Sequence, residues 1–174
     1  MTWREWVQYR LLPALAALAV ALVLLTLGAV AARAATPAEL WEDAQRLSGI
    51  RCDVQDEGLC DGPPRVRVRE LPNGYVGLYD YTRNPREVLI SPLLLRGTPL
   101  DGYIVHEYVH YLQWIRGRMT PSTPCPDRVG LEVEAYDVQS RWLVEKTGKS
   151  FPPDRLNEIL LLRRMACHAA VPHG

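Results

Sequence analysis

Hydrophobic and polar positions divide the chain into two unlike parts. From Leu11 to Ala32, 22 consecutive residues carry no charge. A helix of that length spans about 33 Å, enough to cross the hydrocarbon core of a bilayer. Arg4 and Arg10 lie on its N-terminal side against one acid, Glu5. This predicts that the basic flank stays in the cytoplasm and that the chain beyond the apolar run is exported. Ala32-Arg33-Ala34 has the small-residue form of a signal cleavage site. Residues 1–35 are therefore expected to be a signal peptide or a transmembrane anchor. A retained anchor would tether the remainder to the membrane, facing the periplasm or the extracellular side. Cleavage near Ala34 would release it.

The pattern after residue 35 is that of a folded domain, expected over 36–174. Thr36-Pro37-Ala38-Glu39 is a helix-opening cap and Gly49 a stop, with Trp41, Ala44 and Leu47 as the buried stripe. Arg65-Val66-Arg67-Val68-Arg69 alternates strictly and predicts a half-buried strand. Asn73-Gly74 predicts a tight turn, Tyr75 to Tyr81 a second strand, Asn84-Pro85 another turn, and Glu87 to Ser91 a third strand. These make a small antiparallel meander. A helix comes next, opened by Thr98-Pro99-Leu100-Asp101 and stopped by Gly117. After a proline-rich connection come a helix from Asp127 to Thr147 and a last helix from Asp154 to His168. No internal repeat and no second folded domain is visible, and the class is α+β.

The 174 residues suit one modest domain. Lys+Arg and Asp+Glu are equal at 20 each with no long basic block, which argues against nucleic acid as a partner. The four cysteines are even in number, as suits an oxidising compartment. Cys52 with Cys60 would close a short loop. Cys125 with Cys167 would tie the segment after the helix stopped by Gly117 to the last helix. Four cysteines allow three pairings; a cysteine metal site is the rival reading, but the chain has no C-x-x-C.

The chemistry concentrates at His106-Glu107-Tyr108-Val109-His110. The H-E-x-x-H spacing puts two imidazoles one helical turn apart on one face. They can bind one zinc ion and leave room for a third protein ligand and a water. Glu107 is then placed to take a proton from that water. Between Gly102 and Ile115 no charged residue occurs besides Glu107 and the two His, as a buried helix requires. The pattern points to metal-assisted hydrolysis, most often of a peptide bond. For the third ligand the candidates are Glu132 and Glu134 in Leu131-Glu132-Val133-Glu134-Ala135-Tyr136-Asp137. Two residues apart on a helix, they point about 200° from each other, so only one can face the metal.

A His-Glu-x-x-His helix followed by a short connection and a Glu on the next helix resembles the gluzincin clan of zinc metallopeptidases, in particular its minimal single-domain members. The resemblance covers Arg65 to Lys146. Small members often show Glu-x-x-Ala-Asp or Glu-x-x-Ala-Asn, beginning at the ligand. Glu132-Val133-Glu134-Ala135-Tyr136 matches this up to Tyr136, which favours Glu132 as ligand. Tyr136 stands where an Asp or Asn normally supports the first His; Asp137 takes that role if Glu134 is the ligand. The metzincin pattern is not met, because its Gly and third His positions are Gln113 and Arg116.

The resemblance implies a zincin-like domain in which zinc is held by His106, His110 and Glu132 (or Glu134), with Glu107 as general base. It implies an extended protein or peptide substrate laid along the strand Glu87–Ser91 as an edge strand. Tyr79, Tyr81, Tyr136 and Arg141 are the candidate oxyanion donors, and His168 and His173 are bystanders. The leading expectation is an exported, membrane-tethered zinc peptidase. The alternatives are a catalytically inactive zincin-fold binding or structural protein of the cell envelope, and a zinc hydrolase acting on a non-peptide bond.

Overall fold

Thr36 opens the first helix by accepting from the Glu39 backbone N–H while the Glu39 carboxylate accepts from Thr36 N. This helix, α1, spans Pro37–Ser48, and Gly49 ends it in the left-handed conformation at φ 71°. The structure, a computed structural model, describes residues 35–52, 58–72, 75–95 and 100–169. After α1 come β1 (Arg65–Val68), β2 (Gly77–Tyr79), β3 (Glu87–Ile90), a short 3-10 turn (Pro92–Leu95), α2 (Leu100–Ile115), α3 (Cys125–Thr147) and α4 (Pro153–Ala169). The architecture is a small α+β fold. The apolar run Leu11–Ala32 lies outside the described residues, as do the Asn73-Gly74 turn and the Thr98-Pro99 cap. Among the described residues no helix is long and apolar enough to cross a membrane.

The sheet departs from the expected antiparallel meander. Its order is β1-β3-β2, with β1 parallel and β2 antiparallel to β3. Glu87–Ile90 is therefore the central strand and not an edge. The hairpin between β2 and β3 closes at Asp80, whose backbone oxygen accepts from Asn84 N and whose side chain accepts from Thr82 N. The second strand is accordingly shorter than the Tyr75–Tyr81 expectation. β2 lies against α2, where Gly77 abuts the Glu107 side chain. β1 pairs with the other edge of β3.

α2 is the hub. Val105, Tyr108, Val109, Tyr111 and Leu112 are fully buried on it, which is why the stretch carries so little charge. Leu40, Trp41, Ala44 and Leu47 of α1 cover one side; Ala135, Val138, Trp142 and Leu143 of α3 cover another; Val88 and Ile90 close the sheet side. Trp41 meets Tyr108 edge-to-face at 5.7 Å between ring centroids. Gly102 lets α3 come close to α2, since a Cβ there would lie 3.3 Å from Leu143. Cys52–Cys60 and Cys125–Cys167 are the disulfides, in the expected pairing.

Candidate metal centre

His106 and His110 project from the same face of α2, and their Nε2 atoms stand 3.1 Å apart. From α3, Glu132 brings Oε2 to 3.5 Å from the first and 3.6 Å from the second. All three side chains are buried, and their ligand atoms lie within 4.8 Å of one another. Oε2 of Glu132 has no hydrogen-bond partner, a costly condition for a buried carboxylate oxygen.

These separations fit a shared cation. Ligand atoms at about 2.0–2.1 Å from a tetrahedral zinc lie roughly 3.4 Å from one another, close to the spacings found. The tautomer fits as well. Gln113 donates through Nε2 to Leu131 O (3.0 Å) and to Glu134 Oε2 (2.9 Å). Its Oε1 is thereby turned to His110 Nδ1 at 2.8 Å, so Nδ1 carries the hydrogen and Nε2 is left for a proton or a metal. Two imidazole nitrogens and a carboxylate oxygen suit a divalent transition ion.

Electrostatics point the same way. Burial holds His106 below the ordinary imidazole value. Burial also works against a charge on His110, but the charge of the Glu132 carboxylate beside it, with Glu107 and Gln113, raises it to about 9. Burial alone would raise Glu132; the two imidazoles instead hold it well below the usual carboxylate range. The cluster thus gathers a positive charge at His110, which a bound cation would displace as a proton.

Glu107, buried beside this group, accepts a hydrogen bond from the Tyr79 backbone N–H and lies against Gly77. Burial pushes its carboxyl up to about 7; His110 opposes this, Glu132 adds to it, and Arg163 and the Tyr79 N–H oppose it again.

The other candidates do not join the ligand group. Glu134 turns away from the imidazoles and pairs with Arg118 at 2.9 Å. Asp137 is exposed and pairs with Arg141 at 2.9 Å, so neither approaches His106. Tyr79 donates to Pro85 O and packs in an aromatic cluster with Tyr81, Tyr111 and Trp114. Tyr136 packs its ring on His106 at 4.3 Å between centroids, and His106 Nδ1 has no partner. His173 and the side chain of His168 lie outside the described residues.

Sequence reasoning missed two side chains at the centre. Gln113 stands out in the sequence only as an absent glycine, although it sits one helical turn after His110. Arg163 of α4 binds the far oxygen of Glu132 at 3.0 Å. The one available signal was its place four residues before Cys167, on the helix that a disulfide draws to the start of α3. Comparison with protein-family models, curated proteins and solved structures finds no match to this chain.

Proposed function

We propose that this chain is a zinc-dependent peptidase of gluzincin type, with His106, His110 and Glu132 as ligands and Glu107 as general base. The observation that carries the reading is Glu107 itself. A buried carboxylate beside a three-ligand cluster serves no need of metal binding and is costly unless it is used. Its carboxyl, lifted to about 7, is poised to exchange a proton near neutral pH.

Zinc, when bound, lowers the pKa of a coordinated water to about 7 and polarises a carbonyl oxygen. The protein's own groups do the rest. Glu107 accepts the proton of the attacking water and returns it to the departing amine nitrogen. Tyr79 N–H holds that carboxylate in place. Val76 O, just before β2, pairs with Ser91 N, just after β3, so by the alternation of an antiparallel pair the backbone groups of Gly77 face the outer edge. An extended peptide added along β2 would present its bonds to the site without strong sequence demand.

Two disulfides fit an oxidising compartment. Together with the basic flank and apolar run of residues 1–35, they support export of the domain over 36–174, anchored in the membrane or released near Ala34. A reporter that works only outside the cytoplasm, fused after Gly174, is expected to be active; activity of a cytoplasm-only reporter overturns this topology.

The function is tested by zinc content and cleavage of an unfolded protein, for wild type and Glu107→Gln. One zinc in each and cleavage only by wild type support the peptidase. Zinc in both and cleavage by neither shifts the reading to a zincin-fold binding protein.

A further inference from the structure

Glu132 divides its two oxygens between different partners. Oε2 faces both imidazoles and accepts no hydrogen bond, while Oε1 is bound by Arg163 Nη2 at 3.0 Å. Arg163 comes from α4, an element outside the span of the family resemblance. Its guanidinium lies 5.9 Å from the centre of the Tyr75 ring, so it is held between a carboxylate and an aromatic face. Surface ion pairs generally hold little energy. This pair differs because Glu132 is buried and one of its oxygens is aimed at a cation site.

The placement of Arg163 has a covalent cause. Cys125 lies two helical turns before Glu132 on α3, and Cys167 lies one turn after Arg163 on α4, so each pair shares a helix face. The Cys125–Cys167 disulfide and the Glu132–Arg163 ion pair are two rungs of one antiparallel contact between α3 and α4.

We propose that Arg163 is a positioning residue for the metal: it holds the far oxygen of Glu132 so that the carboxylate offers a single oxygen to the ion, and the Cys125–Cys167 disulfide keeps it there. A planar guanidinium suits this duty, because its rigid donors fix a carboxylate plane where a flexible ammonium does not. Without it the carboxylate can turn and offer both oxygens, changing the number of ligand atoms. The proposal rests on the metal centre proposed above but not on peptidase activity.

The test uses the full oxidised chain in detergent, with Zn²⁺ affinity read by chelator competition and Co²⁺ as a spectroscopic probe of coordination number. Arg163→Ala is expected to weaken Zn²⁺ by about 10–100-fold, as loss of an outer partner does, and to change the visible Co²⁺ spectrum with the circular dichroism unaltered. Arg163→Lys, which keeps one donor, recovers part of both. The double variant Cys125→Ser/Cys167→Ser weakens Zn²⁺ as well, and adding Arg163→Ala to it costs little more, since both changes remove the same contact. A wild-type affinity and spectrum in Arg163→Ala overturns the proposal, and fully additive losses overturn the part given to the disulfide. A wild type that holds neither ion overturns the metal centre itself, a different result from either of these.

Discussion

Gly77 presents bare backbone to the carboxylate of Glu107. A Cβ at position 77 would stand 3.0 Å from Glu107 Cδ and closer still to Oε1. Two residues on, the Tyr79 N–H binds the same carboxylate. The strand β2 thus fixes the carboxylate that Glu107 extends from α2. Glycine is needed here for close approach, and not for an unusual backbone angle.

A methyl group at this point must push the carboxylate aside. Gly77→Ala is expected to keep zinc at wild-type occupancy while peptide cleavage falls by about 10²-fold, the scale of a misplacement near 1 Å. Single-turnover cleavage at matched zinc content checks it. Unchanged cleavage would mean that the position of Glu107 has no part in the reaction.

The ligand set makes a ranked prediction. His106→Ala and His110→Ala are each expected to abolish stoichiometric zinc in the purified protein. Glu132→Gln is expected to cost more affinity than Glu134→Gln, because Glu134 reaches the centre only through Gln113. An outer partner of this kind accounts for about 10–100-fold at most. Chelator competition gives the order, and the reverse order would replace Glu132 as ligand.

Gln113 bridges His110 to Leu131 O and Glu134. Gln113→Leu removes the acceptor that fixes the His110 tautomer and leaves the buried Nδ1–H of His110 unpaired. Zinc affinity is expected to fall by about 10–100-fold, and stability without metal by about 1–3 kcal/mol. A leucine variant with wild-type zinc affinity would show that the imidazole is oriented by packing alone.

Acid sensitivity is expected away from the centre, at Asp43. This carboxylate receives Trp142 Nε1 at 3.0 Å and Lys146 Nζ at 2.9 Å from α3, and Arg46 at 2.8 Å. Burial raises its pKa, but these three partners outweigh burial and leave it lowered. A carboxylate with a lowered folded value stabilises the fold above its unfolded pKa of about 3.9, and that stability is lost as pH falls through the folded value. Asp43→Asn is expected to cost about 1 kcal/mol at pH 7, given the exposure of Arg46 and Lys146. That is roughly 3 °C in Tm, and the gap to wild type should close below about pH 4. A gap that is the same at pH 7 and pH 3 would contradict the assignment.

Sequence by itself determined what is local. The Thr36 cap, the helix over residues 100–115 and the placing of His106, Glu107 and His110 come from hydrogen bonds and spacings within one turn. The even cysteine count carried the two disulfides, because a short loop pairs Cys52 with Cys60 and leaves Cys125 for Cys167. Tertiary structure alone decided which partner each element meets. β3 is the central strand because β1, distant along the chain, pairs with the edge that β2 leaves open. The same holds for the acid that stands beside the imidazoles: Glu132 and Glu134 differ by a helix rotation, and only the docking of α3 on α2 sets its phase. Arg163 was invisible for that reason too. An arginine on a terminal helix reads as solvated surface until a disulfide two turns from Glu132 brings it to a buried carboxylate.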